Sequence, residues 1–420
     1  MIQSMQLFPG ITLRCFPDER FKQSCLSIQL VRPLRYEEAA MNALVPAVLL
    51  RGCESAPDLR TITLRLDDLY GASVGALVRR VGDVQTTGFY CNFIADRYTL
   101  GGEALLCPMV EFVGQLLFRP VTEKGVFRKD YVESEKKNLI STLQTQLNDK
   151  RVYAATRLMD IMCAEDPFGV PRLGRVQEAQ QVTAQSLYAH YQKILQDSRI
   201  DLFYVGPQPM EQVAQVLQPL FAALERNYEE LPAQTPFRGG QGQDITQTLD
   251  VAQGKLCVGY YTDITSRHPD FAAMQVMNHL FGSGMTSKLF MNIREKQSLC
   301  YDIGSGYYGS KGILTVSAGI DWEKEALVRS QIEAQLEACK AGQITPEELT
   351  SAKQSLISAL LGTHDSPGAI EGYYESGALS GHHITPADYI AQVQAVTAAD
   401  CARVAGTLKR HSSFFLKGDA

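Results

Sequence analysis

Short apolar runs alternate with polar segments along the chain, and the pattern predicts a mixture of strands and helices. Runs of strand length that are rich in β-branched and aromatic residues predict β-strands. They lie at residues 26–31, 84–93, 255–261 and 313–318. Residues 129–147 are predicted to form a helix with one apolar stripe. The stripe consists of Val132, Leu139, Ile140, Leu143 and Leu147. Several neighbouring strand runs among helices indicate an α+β fold rather than a doubly wound sheet.

The chain consists of two halves with similar patterns. Each half closes on an apolar run that ends in glycine, at residues 201–206 and 413–418. Near the start of each half a helical segment is followed by a glycine, and these segments are residues 37–50 and 269–280. A glycine just past the last apolar residue is a signal for a helix C-terminus. Self-similarity over so long a period indicates a duplicated domain.

A polar segment separates the two halves. Residues 227–247 contain Pro232, Pro236 and Gly239 among many polar residues, which is the composition of a linker. The sequence therefore predicts an N-terminal domain over residues 1–226 and a C-terminal domain over residues 248–420.

The overall composition is that of a soluble globular protein, with 420 residues of which 45% are hydrophobic and 20% are charged. The net charge is −6 and no long basic run occurs, which argues against a nucleic-acid partner. No apolar stretch reaches the roughly 18 residues that a membrane span needs.

The N-terminal residues lack the basic-then-apolar pattern of a secretion signal, so we expect a cytoplasmic protein. The ten cysteines are scattered and form no CxxC pair. In a chain of this size we expect them to be reduced and mostly buried rather than joined in a disulfide framework.

The most distinctive segment is residues 282–301, with the sequence GSGMTSKLFMNIREKQSLCY. It begins with small residues. A charged triplet starts at Arg294, and the segment ends at Tyr301. This segment resembles the C-terminal-domain signature of the M16 (pitrilysin/insulinase-type) metallopeptidases. Shorter matches lie at residues 51–52, 66–72 and 166–174, so the resemblance covers nearly the whole chain.

The resemblance implies a fold for each half. We expect two homologous α/β sandwich domains in tandem, similar to those of LuxS and mitochondrial processing peptidase. Each domain is expected to have an antiparallel-rich sheet with helices on one face. Two such subunits are expected to close like a clamshell around a chamber that admits unstructured peptides.

M16 peptidases bind zinc through an inverted motif, His-x-x-Glu-His, on the first helix. Histidines at positions i and i+4 share one helical face and can bind one ion, while the glutamate accepts a proton from zinc-bound water. Aligned on Gly52, the corresponding positions here are Ala43, Pro46 and Ala47. The first histidine in the sequence is His190, so no local shift of the alignment restores the motif. We therefore expect no cofactor in this chain and zinc in a partner subunit.

Other candidate ligands are weaker. Glu133 and Glu135 lie on the predicted helix at 129–147, where solvated surface charges are the simpler interpretation. His382 and His383 form the only histidine cluster in the sequence, but no third ligand is in view. Pro46 is expected to kink its helix, because proline lacks a backbone donor.

Arg294 and Tyr301 carry the chemistry that remains. In the family, the matching arginine and tyrosine reach across the chamber to the substrate. Arginine donates several hydrogen bonds to peptide carbonyls, and tyrosine donates one to a developing oxyanion. The structural alternative is that Arg294 pairs with a carboxylate and that Tyr301 caps a strand.

Two functions fit this pattern best. The first is a non-catalytic, substrate-binding subunit of a heterodimeric zinc peptidase, paired with a sister subunit that carries the zinc motif. The second is a homodimeric scaffold or peptide-binding protein without proteolytic activity. An independent enzyme with a relocated metal site or a cysteine nucleophile is a third alternative, but no arrangement of residues supports it.

Overall fold

A computed structural model describes residues 2–418 of the chain. The elements of the first half are β1 (Gln3–Phe8), β2 (Ile11–Pro17), β3 (Gln23–Pro33), α1 (Tyr36–Leu49), α2 (Leu59–Asp68), β4 (Ser73–Val81), β5 (Val84–Ile94), α3 (Leu106–Phe118), β6 (Thr122–Glu123), β7 (Val126–Phe127), α4 (Lys129–Asn148), α5 (Lys150–Met162), α6 (Val176–Gln181), α7 (Ala184–Asp197), β8 (Arg199–Gly206) and α8 (Met210–Ala222).

The elements of the second half are β9 (Asp244–Thr248), β10 (Gly254–Tyr261), α9 (Phe271–Asn278), β11 (Cys300–Tyr308), β12 (Ile313–Ile320), α10 (Glu325–Lys340), α11 (Pro346–Leu361), α12 (Pro367–Ser380), α13 (Pro386–Ala395), α14 (Ala398–Ala405) and β13 (Lys409–Lys417). Two π-helical segments, His279–Ser283 and Phe290–Glu295, lie between α9 and β11.

The chain folds into two compact units, and each unit includes a segment from the other half of the chain. Unit 1 comprises the residues up to Gln144, Val170–Ala233 and His364–Ser376. Unit 2 comprises Thr145–Gly169, Gln234–Thr363 and the residues from Gly377 onward. Helix α5 therefore belongs to unit 2, and the first part of α12 belongs to unit 1.

Unit 1 is built on a sheet with the strand order β1-β2-β8-β3-β5-β4. β2 and β8 run parallel, and the other neighbours are antiparallel. One face of this sheet packs against α1, α3, α7 and α8, and strand residues such as Leu26, Ile28 and Phe89 are fully buried there. Burial of this apolar surface is the main favourable term in folding.

Unit 2 repeats the same topology. Its sheet has the order β11-β12-β10-β13-β9, and β9 and β13 run parallel. Without β1, the sheet of unit 1 has the matching order β4-β5-β3-β8-β2, with the parallel pair in the same place. The predicted duplication is therefore confirmed at the level of strand order and direction, and so is the α+β class.

Both faces of each sheet are covered, which corrects the expectation of helices on one face. In unit 2, Leu158 and Met162 of α5 pack against Cys257 and Phe414. Gly259 is required under this helix, because a side chain there would collide with Met162. In unit 1, the second face packs against Ile370 of α12. The strands that carry both layers have the near-continuous burial expected of doubly covered sheets.

The remaining differences from the sequence predictions are local. The stripe of α4 is buried at Val132 and Leu143, but Leu147 is 44% exposed. The predicted linker ends in a strand, since Asp244–Thr248 pairs with β13. Pro46 lies inside α1, and the helix continues through it to Leu49.

Candidate functional site

The positions that correspond to the zinc motif lie in the middle and last turns of α1. Ala43 and Pro46 are buried and Ala47 is half-buried. A methyl group and a pyrrolidine ring have no lone pair for a metal, so these residues do not fit zinc. Among residues 2–418, no group of three or more histidine, cysteine, aspartate or glutamate side chains is arranged to hold a metal ion.

The glutamates of α4 are engaged in ion pairs. Glu135 Oε1 lies 3.3 Å from Arg51 Nη1, and the Arg51 guanidinium lies 5.1 Å from the centre of the Tyr131 ring. Glu133 pairs with Lys136 at 2.8 Å one turn along the helix. Glu133 is the surface charge that the sequence predicted, whereas the Glu135 side chain is only 14% exposed and serves as the ion-pair partner of Arg51.

A chain of buried hydrogen bonds lies beside the lost zinc motif. Gln85 Nε2 donates to the carbonyl oxygens of Ala39 and Arg172 at 3.1 and 2.7 Å, so Gln85 Oε1 is left to accept from Asn42 Nδ2 at 2.7 Å. Asn42 Oδ1 in turn lies 2.7 Å from His190 Nε2. Each direction follows from the one before it, which makes His190 Nε2 the donor.

His190 is neutral in this environment. Burial lowers its pKa to about 4, although Glu38 opposes the shift. The sequence singled out this residue only as the first histidine of the chain. Its contact with Asn42 spans 148 positions and has no local sequence signal.

The proline of α1 also has a specific partner. Pro46 cannot donate to the carbonyl oxygen of Asn42, as a residue in that place of a helix normally would. The hydroxyl of Thr87 on β5 donates to that carbonyl instead. The sheet therefore satisfies the acceptor that proline leaves open, and α1 continues past Pro46 to Leu49.

Arg294 is presented to solvent by the π-helical segment Phe290–Glu295. The segment is anchored by Ile293, which is fully buried, and by a 2.7 Å hydrogen bond from Asn292 Nδ2 to Gln335 of α10. The side chain of Arg294 is 40% exposed, stacks 4.6 Å from the centre of the Phe290 ring and lies 3.6 Å from Glu295. Stacking on one face leaves most guanidinium donors available to a ligand.

Tyr301 is turned outward by a β-bulge. The pairing of β11 with β12 shifts register between Cys300 and Asp302, so Tyr301 is the extra residue. Bulges re-aim side chains in this way, and Tyr301 is 66% exposed. The turn before it contains Ser298 in the left-handed region, with φ 51°, and is closed by hydrogen bonds to Arg294 and Ile293.

Arg294 and Tyr301 both lie beside Cys300. Burial raises the pKa of the Cys300 thiol to about 11, and Arg294 opposes this shift. Such a thiol is protonated at neutral pH, which does not suit a nucleophile. All ten cysteines are free, and all except Cys107 are buried.

The edge of the sheet in unit 2 runs alongside this site. β11 is the last strand in the order. Its Gly306 leaves room for a side chain, since a Cβ there would lie no closer than 3.7 Å to another residue. The small-residue segment before it is packed rather than loose at Gly282, since a Cβ there would lie 2.6 Å from Leu289 and 2.7 Å from Ser305. An edge strand offers backbone donors and acceptors to an extended peptide.

The histidine cluster has structural roles. His382 Nδ1 lies 2.7 Å from the carbonyl oxygen of Ser266, and its ring packs 4.9 Å from Phe271 and 5.1 Å from Tyr389. Burial lowers the pKa of His382. His383 is exposed beside it.

The fold is that of the M16 peptidases, and the positions of the zinc motif carry no metal ligand. The family description "Peptidase M16 inactive domain" matches residues 181–356. The chain is 31% identical over 409 residues to the Bacillus subtilis protein named "Probable inactive metalloprotease YmfF", covering 97% of this chain and 96% of that protein. The chain therefore belongs to the M16 peptidase family, as the sequence motifs predicted.

Solved structures share this fold. A conserved protein from Enterococcus faecalis V583 superposes with a TM-score of 0.92 at 30% identity, over 100% of this chain and 99% of that one. A peptidase M16 inactive domain from Pseudomonas fluorescens gives a TM-score of 0.81 at 16% identity, over 100% and 98% of the two chains. Within residues 2–418, no helix is long and apolar enough to cross a bilayer.

Proposed function

We propose that this chain is the substrate-binding, non-catalytic subunit of a heterodimeric zinc peptidase that acts on unstructured peptides in the cytoplasm. The observation that carries the proposal is a contrast within one chain. The residues in place of the zinc motif carry no metal ligand and two of the three are buried, whereas Arg294 and Tyr301 are exposed to solvent beside a sheet edge. A sister subunit with the His-x-x-Glu-His motif would supply the zinc.

In this proposal the two residues have different tasks. The Arg294 guanidinium donates hydrogen bonds to carbonyl oxygens of the bound peptide, and this contact is made before the reaction. The Tyr301 hydroxyl donates to the oxygen that gains negative charge at the scissile carbonyl, so its contribution is greatest in the transition state. Backbone groups of β11 hold the peptide in extended form.

Affinity purification of the tagged chain from its native host tests the assembly. We expect a near-stoichiometric partner of similar size that carries the zinc motif. The chain purified alone should bind no stoichiometric zinc and cleave no unstructured peptide. Recovery of the chain only with itself would favour a homodimeric scaffold or peptide-binding protein, and chelator-sensitive cleavage by the chain alone would contradict the proposal.

Kinetics of the reconstituted complex test the residues. Arg294→Ala should raise KM, because it removes charge-assisted hydrogen bonds worth about 1.5–3 kcal/mol to the bound peptide. Tyr301→Phe should lower kcat by about tenfold or more with little change in KM. Tyr308→Phe is the matched control, since Tyr308 is a partly exposed tyrosine on the same strand. An unchanged KM in Arg294→Ala together with an unchanged kcat in Tyr301→Phe would refute the assignment.

A further inference from the structure

A buried network of charged side chains lies on the second face of the sheet in unit 1, under the first part of α12. The acidic members are Asp201 on β8 and Glu371 and Glu375 on α12, and all three are fully buried. The basic members are Arg14 on β2, Arg79 on β4 and Arg199 on β8. The network uses none of the residues of the candidate site.

Glu371 is satisfied by four hydrogen bonds. Arg79 binds both of its oxygens, at 2.9 and 2.7 Å. Ser27 Oγ and Gln29 Nε2 of β3 donate to Oε1 at 2.8 and 2.9 Å. Bidentate arginine together with two further donors is the environment of a well-compensated carboxylate.

Glu375 is held differently. Arg14 Nη1 donates a hydrogen bond to Glu375 Oε2 at 3.2 Å and lies 3.5 Å from Asp201 Oδ1, which it contacts as an ion pair without a hydrogen bond. Arg199 Nη2 donates to Asp201 Oδ2 at 2.6 Å. Within the described chain, Glu375 Oε1 and Asp201 Oδ1 are buried and have no hydrogen-bond donor.

The charges alone do not require a proton here, because three arginines face three carboxyl groups. The missing element is a donor. The Asp201 and Glu375 carboxyl groups lie side by side, because both are in contact with the same nitrogen of Arg14. Two carboxylates only accept hydrogen bonds, so a bond between them needs one proton. A buried oxygen without a donor costs about 1–3 kcal/mol, and a shared proton satisfies two of them.

We propose that Asp201 and Glu375 hold one proton between them, and that this proton fastens the first part of α12 to the sheet of unit 1 and releases it as the pH rises. Burial raises the pKa of Glu375 well above its usual value, Asp201 adds to the shift, and Arg14 opposes it. Neighbouring Glu371 acts in the same direction as Asp201.

The sign follows from proton linkage. In the unfolded chain a glutamate loses its proton near pH 4.3, whereas in the folded chain Glu375 keeps it. The stabilisation of α12 is therefore present in full at acidic pH and is lost as the pH rises through the folded-state pKa. Apolar contacts of Ile370 with the sheet remain, so we expect α12 to loosen rather than the unit to unfold.

Hydrogen–deuterium exchange of the full chain across a pH series tests the proposal, after correction for the intrinsic exchange rate. In the wild type, protection of residues 367–376 should fall by about tenfold per pH unit between about pH 4.3, where an unfolded glutamate loses its proton, and the folded-state pKa, because one proton is linked to the opening in that range. Above the folded-state pKa the protection should level off. In Glu375→Gln the amide supplies a permanent donor, so protection should stay high and independent of pH. Glu371→Gln is the matched control, because it weakens the Arg79 contact at every pH and should keep the wild-type slope.

Infrared spectroscopy gives a second readout. A protonated-carboxyl band should persist in the wild type above about pH 4.3, where an ordinary glutamate is ionised, and should be absent from Glu375→Gln. If that variant does not fold, Asp201→Asn replaces it, since its amide supplies the same donor. Two results would overturn the proposal. One is a variant with the amide, Glu375→Gln or Asp201→Asn, whose protection falls with pH as steeply as in the wild type, and the other is a wild-type spectrum with no protonated carboxyl. A bridging water or a fully ionised pair would then explain the contact.

Discussion

The hydrogen-bond chain from His190 to α1 fixes both the tautomer and the charge of this histidine. The neutral ring with its proton on Nε2 fits the acceptor Asn42 Oδ1. Protonation would place a charge in a buried site beside α1, which burial disfavours. This residue therefore links the stability of unit 1 to acidic pH.

The free energy of unfolding should show this link when His190→Gln is compared with the wild type. The pKa of His190 falls from 6.5 in the unfolded chain to about 4 in the folded one, so its stabilising contribution is present above pH 6.5 and is lost as the pH falls. Between pH 7 and pH 5, the wild type should lose about 2 kcal/mol that the variant does not lose. Urea unfolding at both pH values measures the difference.

The matched control is His383→Gln, since His383 is exposed. Its difference from the wild type should be the same at both pH values. An equal loss in His190→Gln and the wild type would show that His190 titrates normally. Glu375 contributes a pH dependence of stability with the opposite sign. This contribution is the same in the wild type and in the variants, so it cancels when they are compared at each pH.

At the residue scale, functional residues that lie within one short sequence motif were predictable, whereas contacts between residues far apart in the sequence were not. The motif at 282–301 identified Arg294 and Tyr301 as candidates. The bulge that exposes Tyr301 depends on the register with β12, and the partner of His190 depends on how α7 meets α1. Neither leaves a periodic trace in the sequence.

At the scale of elements, α1 and β5 share one hydrogen bond that decides how α1 tolerates its proline. Thr87→Val keeps the shape of the side chain but leaves the buried carbonyl of Asn42 without a donor, which should cost about 1–3 kcal/mol. In a background of Pro46→Ala, the new backbone N–H can bond to that carbonyl. The cost of Thr87→Val should then be smaller by about 1 kcal/mol.

Denaturant unfolding of the two single variants and the double variant measures this coupling. Thr86→Val is a useful comparison, because Thr86 is its buried neighbour and its hydroxyl has no hydrogen-bond partner within the described residues. It should show no coupling to Pro46→Ala. Additive costs for Thr87 and Pro46 would mean that the hydroxyl does not replace the missing helical bond.

At the scale of the whole molecule, the two halves of the chain exchange equivalent helices. α5 follows α4 and packs on the sheet of unit 2, whereas α12 follows α11 and begins on the sheet of unit 1. Each unit is therefore complete only when both halves of the chain are present. Periodicity predicts that such helices exist, but it does not say which sheet an apolar face will cover.

Splitting the chain in the linker tests this dependence. Residues 1–243 expressed alone should lack cooperative unfolding, because the face that packs against Ile370 and binds Glu371 is uncovered. Co-expression with residues 244–420 should restore cooperative unfolding and soluble protein. The control is the full chain, folded first and then cleaved in the linker. Its two fragments should remain associated. A cooperative transition in the first fragment alone would contradict the expectation.

The exchange also sets an order for biogenesis. The last strand-bearing segment of unit 1 ends at Ala233, but its covering residues end at Ser376. At roughly 5–20 residues per second, the ribosome needs roughly 7–30 s to synthesise the intervening 143 residues. During that interval the second face of the sheet, which carries charged groups that are buried in the folded protein, lacks the residues that cover it. The first domain to be translated is therefore among the last to mature, and a chaperone that shields this face would act in that window.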